Sequence, residues 1–251
     1  MPFEPTHLYI TRPEQVKTPG TAILDNAERS RAAAFKFPQD RELYIAAHLF
    51  MRRTLSKHAP IAPADWRFRT NAYGKPFIAT PGYEHLQFNL SHTQGMIACA
   101  VSYAGTIGVD VEKRKPLTDL DALCRYALSP LEAHDVLSIR DPTRKEQRFF
   151  TYWTLKEAYI KARGMGLSIP LQEFTFTQDT KLEWRLHTET PESNPQEKWQ
   201  FDTHIIGQHH LSVGIEKMAH YVFRGLSPSA ETTRKTLPDR LTGVFFLNTL
   251  P

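Results

Sequence analysis

The stretch that most constrains the fold is a predicted helix from Arg144 to Arg163, which is apolar around most of its circumference. Its apolar side chains leave little of the surface for water: Phe149, Phe150, Tyr152, Trp153, Leu155, Ala158, Tyr159 and Ile160. A helix of this kind belongs inside a protein rather than on its surface. The sequence therefore predicts a core helix against which other elements pack.

Three charged residues, Lys156, Glu157 and Lys161, interrupt this apolar helix. Glu157 and Lys161 are four positions apart, so they lie on the same helical face. One interpretation is an intrahelical ion pair worth about 0.2–0.5 kcal/mol. Because a charge in an apolar setting is costly unless it has a partner or a function, the other interpretation makes Glu157 a working carboxylate.

A second informative stretch is the predicted strand Ile107–Glu112, with the sequence Ile-Gly-Val-Asp-Val-Glu. Strand side chains alternate between faces, so Asp110 and Glu112 project from the same face, about 6.5–7 Å apart. Two neighbouring carboxylates repel each other unless a cation lies between them. The strand is therefore either a solvent-facing edge or a site for a hard cation such as Mg²⁺ or Mn²⁺, which prefers oxygen ligands.

The composition indicates a soluble globular protein with one large or two small domains. The chain has 251 residues, of which 41% are hydrophobic and 23% charged. It contains neither a predicted membrane span nor the layout of a signal peptide. A net charge of +4 favours acidic or phosphorylated partners but does not predict nucleic-acid binding. The two cysteines, Cys99 and Cys124, are predicted to be reduced, which favours the cytoplasm.

Helix signals recur along the chain. One predicted helix starts after Leu24 with Asp25 or Asn26 as its cap, and a second runs from about Arg41 to Ser56. A helical stretch from Asp119 to Leu137 is broken at Ser129-Pro130. Ser129 and Glu132 have the spacing of a capping box, which makes a structural role the default for Glu132.

Strand signals occur on both sides of Thr106. Predicted strands before it are His7–Ile10, Trp66–Arg69 and Gly95–Val101, while Phe88–Thr93 is predicted as a strand end and loop. The strands predicted after it form a second sheet: Phe174–Phe176, Leu182–Leu186, Trp199–Ile206 and Leu211–Ile215. His209 and His210 fall in the predicted turn between the last two strands, which argues against a metal site there.

Four motifs occur in a fixed order. They are Gly74-Lys75-Pro76, Asn89-Leu90-Ser91-His92, the strand Gly108–Glu112 and the helical stretch Trp153–Lys161. With them the chain resembles the long, two-lobed 4′-phosphopantetheinyl transferases, the type that activates surfactin synthetase. The resemblance covers roughly residues 24–176. It implies an α/β (α+β) fold, a pseudo-dimer of two similar α/β lobes with the active site in the cleft between them. The implied parts are an N-terminal lobe (1–106), a C-terminal lobe (107–226) and a tail (227–251).

The same resemblance implies the chemistry. The substrate is coenzyme A, and a serine of an apo acyl or peptidyl carrier protein receives the 4′-phosphopantetheine group with release of 3′,5′-ADP. Mg²⁺ or Mn²⁺ is implied at Asp110, Glu112 and Glu157, and Lys161 is implied to meet the phosphate under attack. Phosphoryl transfer of this kind depends mainly on positioning and charge neutralisation. A cytoplasmic monomer that binds neither nucleic acid nor membrane is expected.

The resemblance also implies residues for substrate binding and proton transfer. Positions matching coenzyme A contacts are Arg31, Lys75, Ser91, His92, Lys156 and Lys161. The general base stays open between Glu132, which matches by motif order, Glu112, and a metal-bound water. The chain departs from many relatives at Glu28 and His48, where they carry basic residues.

Two other functions are compatible with part of the pattern. A metal-dependent phosphoesterase or nuclease also needs three acids and a lysine, but it would not use the Gly74–Pro76 and Ser91-His92 motifs. A non-catalytic relative that binds carrier proteins would not need the acids.

The basic run Lys113–Lys115, directly after Glu112, is either a docking surface for an acidic carrier or a solvated turn.

Overall fold

The computed structural model describes residues 6–17, 21–103, 105–188, 199–216 and 244–246. These residues divide into two compact units. The first unit contains the described residues within 1–70, 76–104 and 221–251. The second unit contains those within 71–75 and 105–220. Each unit combines helices with strands, which confirms the predicted α/β class.

Helices and strands alternate irregularly along the chain. The helices are α1 (Asn26–Ala33), α2 (Pro38–Leu55), α3 (Leu120–Ala127), α4 (Pro130–Ser138) and α5 (Pro142–Arg163). The strands are β1 (His7–Thr11), β2 (Phe68–Thr70), β3 (Pro76–Ile78), β4 (Gln87–Thr93), β5 (Met96–Ser102), β6 (Ile107–Lys113), β7 (Phe174–Gln178), β8 (Trp184–Thr188), β9 (Trp199–Ile206), β10 (His209–Glu216) and β11 (Val244–Phe246). None of the described helices is both long and apolar enough to span a lipid bilayer.

The first unit is built on a sheet with the strand order β11-β1-β5-β4. β5 pairs antiparallel with β1 and β4, and β11 pairs parallel with β1. Of the predicted tail 227–251, only β11 lies within the described residues. α2 packs on this sheet through a core that includes Leu49, Phe50 and Trp66.

Two predictions in the first unit are wrong at the level of element bounds. α2 begins at Pro38 rather than near Arg41, because proline lacks an N–H and is well suited to the first helical turn. Ser91 and His92 lie within β4, paired with Ala98 and Ile97, rather than in a loop. Their side chains therefore have the orientation of successive strand residues, on opposite faces of the sheet.

The second unit contains an antiparallel sheet with the order β6-β10-β9. β7 and β8 form a separate two-stranded sheet, so the prediction of a single sheet after Thr106 is wrong. His209 and His210 lie in β10, and only Gly207 and Gln208 form the turn. The prediction that both histidines belong to the turn is therefore wrong.

Helix α5 is the centre of the second unit, as predicted. It starts at Pro142, two residues before the predicted start, because the Asp141 carboxylate accepts a hydrogen bond from the backbone N–H of Arg144 at 2.7 Å. It ends at Gly164, which adopts the left-handed conformation with φ of 65°. Most of its apolar side chains are buried, and they pack with aromatic residues of β7, β8 and β9.

Gly108 sets the distance between β6 and α5. A Cβ atom at this position would lie 2.0 Å from the carbonyl oxygen of Ala158 and 2.5 Å from the backbone nitrogen of Ala162. Both obstacles are helix backbone, so neither can rotate away. The helix therefore rests directly on the strand, and only glycine is compatible with this approach.

Replacing Gly108 by alanine is expected to lower the free energy of unfolding by about 3 kcal/mol, because α5 must move off the strand. Urea denaturation followed by tryptophan fluorescence measures the loss. The control is Gly82→Ala, where nothing lies within 4 Å and a φ of 86° alone should cost about 1 kcal/mol. A loss at Gly108 no larger than the loss at Gly82 would show that the spacing is not rigid.

Candidate active site

The second unit brings a strand acid and a helix lysine into direct contact. Asp110, on β6, is 3% exposed. The Nζ atom of Lys161 lies 2.5 Å from its Oδ1 atom. Lys161 itself retains 30% of its side-chain exposure, so its ammonium group links a buried carboxylate to solvent.

Packing under the acids holds α5 in register with the sheet. Besides the close approach at Gly108, the hydroxyls of Thr154 and Ser212 form a hydrogen bond of 2.7 Å between α5 and β10, and both residues are fully buried. Ser212 is the cross-strand partner of Asp110. Glu157 lies one turn after Thr154, so this contact fixes the helix acid relative to the strand acids.

The three predicted cation ligands interact electrostatically. Burial and the charge of Asp110 raise the pKa of Glu112, and a hydrogen bond from Trp153 and the charge of Lys161 oppose this change. Burial and the charge of Asp110 also raise the pKa of Glu157, with a further contribution from Glu112 and an opposing one from Lys161. The carboxylates therefore lie within reach of one another and repel.

Trp153 contacts one of the predicted acids, which its place among the apolar residues of the helix and at the start of the motif Trp153–Lys161 does not predict. Its side chain donates a hydrogen bond to Glu112. The available indication is general: the indole N–H of a partly buried tryptophan usually finds a hydrogen-bond acceptor, and Trp153 lies one turn before Glu157.

Three carboxylates and one ammonium group leave this site with excess negative charge. In the part of the chain that the structure describes, no three His, Cys, Asp or Glu side chains are arranged to hold a metal ion as they stand. In the structure, the positive charge next to the Asp110 carboxylate is the ammonium group of Lys161. The donor set nevertheless consists of carboxylate oxygens, which suits Mg²⁺ or Mn²⁺.

Glu132 and Lys156 form a separate buried pair. Lys156 Nζ lies 2.8 Å from Glu132 Oε2, and neither side chain is exposed to solvent. The same ammonium group donates to the backbone carbonyls of Leu171 and Phe174, each at 2.6 Å, and lies 4.2 Å from the Phe174 ring centroid. Burial lowers the pKa of Lys156, and the Glu132 carboxylate opposes this shift.

The carboxylate of Glu132 is equally occupied. It accepts backbone hydrogen bonds from Ser129 at 2.8 Å and from Phe176 at 2.7 Å, besides the contact with Lys156. The Ser129 side chain completes the predicted capping box at the start of α4. These contacts tie together α4, α5 and β7, which supports the structural interpretation of Glu132 and leaves it no exposed oxygen for a substrate.

The other residues predicted to contact coenzyme A belong to both units. In the first unit, Arg31 is exposed on α1 with its guanidinium 5.6 Å from the ring centroid of Phe35. Ser91 is 5% exposed and His92 is half-buried in β4. Lys75 belongs to the second unit, where its Nζ atom donates to the carbonyl oxygen of Ala162 at 2.7 Å.

The two departures from the family pattern lie next to each other. His48 Nδ1 is 2.8 Å from Glu28 Oε1, and the buried guanidinium of Arg52 donates to Glu28 Oε2 at 2.8 Å and to Asp25 at 3.0 Å. Burial acts to raise the pKa of Glu28, but the hydrogen bonds from His48 and Arg52 hold it below its usual value. This network anchors α1 on α2.

Comparisons with known proteins cover both halves of the chain. A family model described as 4′-phosphopantetheinyl transferase, N-terminal, matches residues 13–104, and the 4′-phosphopantetheinyl transferase superfamily model matches residues 106–214. The 4′-phosphopantetheinyl transferase HetI of Nostoc is 34% identical over 194 residues, which is 74% of this chain and 81% of the relative. The 4′-phosphopantetheinyl transferase Sfp of Bacillus subtilis is 30% identical over 170 residues, which is 67% of this chain and 73% of the relative. A solved holo-(acyl-carrier-protein) synthase of Bacillus anthracis, in complex with CoA (3′,5′-ADP), aligns with 46% of this chain and 97% of its own, at 18% identity and a TM-score of 0.39.

Proposed function

Because this chain belongs to the 4′-phosphopantetheinyl transferase family, we propose that its carboxylate cluster of Asp110, Glu112 and Glu157 holds the divalent cation of the transfer reaction. The enzyme transfers the 4′-phosphopantetheine group of coenzyme A to a carrier protein. In the proposed reaction, a serine hydroxyl of the carrier attacks the pyrophosphate, and 3′,5′-ADP leaves. The cation, Mg²⁺ or Mn²⁺, neutralises negative charge on the pyrophosphate when it is bound.

The observation that carries this proposal is the mutual repulsion of carboxylates on β6 and α5. Burial and, after it, the charge of Asp110 raise the pKa of both Glu112 and Glu157. Such a cluster costs folding free energy unless a cation offsets it. The packing at Gly108 and between Thr154 and Ser212 holds the cluster together. A structural ion-pair network would not need three acids for one lysine.

The direct test is to incubate the protein with coenzyme A, Mg²⁺ and a panel of apo acyl and peptidyl carrier proteins, and then to weigh the carriers. One carrier at least should gain the mass of a phosphopantetheine group. The reaction should stop in EDTA and resume on addition of excess Mg²⁺. Hydrolysis of coenzyme A without any modified carrier would favour the phosphoesterase alternative.

Lys161 is proposed to stabilise the negative charge that develops on the attacked phosphate. Its ammonium group is partly exposed and already lies on the cluster through Asp110. Replacing Lys161 by methionine is expected to lower kcat about 100-fold while the Kd of coenzyme A changes less than about 3-fold, because the charge is needed mainly in the transition state.

Steady-state kinetics and calorimetric titration with coenzyme A separate these two quantities for Lys161. The matched control is Lys181→Met, an exposed lysine in the turn between β7 and β8. If the only defect of the Lys161 variant were weaker binding of coenzyme A, Lys161 would contact the bound substrate without specifically stabilising the transition state.

Coenzyme A is proposed to contact Arg31, Ser91 and His92 through its phosphates, as the family resemblance implies. Arg31 offers an exposed guanidinium for this purpose. Glu132 and Lys156 are left out of the proposed chemistry, since both are fully buried and paired with each other.

The carrier is proposed to dock at the basic run Lys113–Lys115. Lys115 is exposed, and its charge opposes the rise in the pKa of Glu112 that burial causes, which supports a position of the run beside the cluster. The backbone N–H of Arg114 donates to the carbonyl oxygen of Gln208 at 2.7 Å, so the run is held against the β9–β10 turn. Acidic carriers would be steered to such a surface, more weakly as salt is added.

Charge reversal at Lys113, Arg114 and Lys115 is expected to raise the KM for the carrier about 10-fold, with little change in the KM for coenzyme A. Kinetics at several salt concentrations test this, because the wild-type KM for the carrier should rise with salt and that of the variant should not. Lys181→Glu, a charge reversal at an exposed site outside the run, is the control. Equal effects on both substrates would remove the run from the docking surface.

The enzyme is further proposed to act in the cytoplasm as a monomer. Both cysteines, Cys99 and Cys124, are buried free thiols, which fits a reducing compartment. Sedimentation of the purified protein tests the oligomeric state.

A further inference from the structure

The C-terminal end of α5 is capped by side chains from a distant turn. The last carbonyl groups of any helix lack partners within the helix. Here the Asn71 side-chain amide donates to the carbonyl oxygen of Gly164 at 2.6 Å, and the Lys75 ammonium donates to that of Ala162 at 2.7 Å. Lys75 also brings a positive charge to the negative end of the helix dipole.

The turn from Asn71 to Lys75 is built to present these two groups. The Asn71 side-chain oxygen accepts hydrogen bonds from the backbone N–H groups of Tyr73 and Lys75, both at 2.9 Å. The backbone N–H of Asn71 donates to the carbonyl oxygen of Lys75 at 3.0 Å, which closes the turn. The five residues therefore form a preorganised unit rather than a loose loop.

The space around Gly164 is a second, independent observation that the turn from Asn71 to Lys75 packs closely against the end of α5. A Cβ atom at Gly164 would lie 2.6 Å from Lys75 Cδ and 3.1 Å from Asn71 Nδ2. The glycine thus serves the helix end twice, by its positive φ and by making room for the Lys75 stem. Burial lowers the pKa of Lys75 to about 8, partly offset by Glu216, which agrees with an ammonium group enclosed by protein.

We propose that Lys75 is a positioning residue whose side chain holds the last turn of α5 and thereby places Lys161 on Asp110. Lys161 immediately precedes Ala162, the residue whose carbonyl Lys75 binds. The catalytic part of this inference rests on the proposed roles of Asp110 and Lys161. It replaces the expectation that the Lys75 ammonium contacts a phosphate of coenzyme A.

The two roles of Lys75 predict different kinetics. Lys75→Met keeps the length of the stem and removes the ammonium. For a positioning residue, kcat should fall about 10-fold while the KM of coenzyme A changes less than about 3-fold. For a phosphate contact, the KM of coenzyme A should rise at least about 10-fold with kcat retained. Lys75→Arg, which keeps the charge and donors, should preserve most of kcat.

Hydrogen exchange gives a readout that needs no substrate. In Lys75→Met, amides of residues 160–166 are expected to exchange at least about fivefold faster than in the wild type, because the helix end loses a cap. Lys75→Arg should exchange nearly as the wild type does, and Lys181→Met serves as the surface control. If no carrier is modified by the wild type, the proposed function fails, whereas the exchange result still decides the capping role. Unchanged exchange in Lys75→Met, or a defect confined to the KM of coenzyme A, overturns the inference.

Discussion

Replacing Asp110 by alanine is expected to lower the rate of phosphopantetheine transfer at least about 10³-fold while the protein remains folded. Asp110 is buried and holds Lys161, and its charge acts on both other carboxylates, so its loss removes a proposed cation ligand and frees the lysine together. The fold should tolerate the change, because removing one acid relieves repulsion in the cation-free state.

Mass spectrometry of the carrier and thermal unfolding of the enzyme test the two halves of this expectation. Calorimetric titration with Mg²⁺ adds a binding readout that is independent of turnover, and Asp110→Ala should abolish the binding heat. Glu173→Ala, which removes an exposed acid in the same unit, is the matched control. Near-normal turnover of Asp110→Ala in Mg²⁺ would contradict the assignment of β6 as a source of cation ligands.

Replacing Lys156 by methionine is expected to lower the free energy of unfolding by about 3–5 kcal/mol, because the Glu132 carboxylate then stays buried without its partner. Two backbone carbonyls, of Leu171 and Phe174, lose their donor as well. Urea denaturation of the variant measures the loss. Lys181→Met, at an exposed site, should change stability by less than about 0.5 kcal/mol.

A double-mutant cycle separates structure from catalysis at this pair. The variant combining Lys156→Met with Glu132→Gln should be more stable than Lys156→Met alone, with a coupling energy of at least about 1 kcal/mol. If Glu132 were the general base, Glu132→Gln would abolish transfer at a temperature where it is fully folded. Full activity of folded Glu132→Gln would establish the structural role.

Local pattern was sufficient for the two elements that carry the predicted site. The alternation in Ile107–Glu112 predicted a strand with Asp110 and Glu112 on the face of Gly108, and Gly108 does meet α5. The apolar circumference predicted α5 as a core helix. Caps at Asp25, one of the two predicted candidates, and at Ser129 followed from residue type, because capping depends on groups within a few residues.

Pattern was insufficient where a strand or turn was defined by its partner. The sequence predicts a strand end and loop over Phe88–Thr93, yet pairing with β5 extends β4 through Ser91 and His92 to Thr93. The sequence predicts a turn at His210, whereas pairing with Glu112 places this residue in β10. A short polar stretch adopts strand geometry when a neighbouring strand satisfies its backbone groups, and a single sequence does not identify that neighbour.

The sequence by itself determined the family and the α/β class, and it predicted the acids of the site, because contiguous motifs and a local period carry this information. Only the tertiary structure decided which groups Lys156 and Lys75 contact. The family resemblance implies a contact with coenzyme A for both residues, yet Lys156 is paired with Glu132 inside the core and Lys75 binds a carbonyl 87 positions away. The role of an ammonium group depends on which acceptor lies within hydrogen-bonding distance, and the fold, rather than the motif, supplies that acceptor.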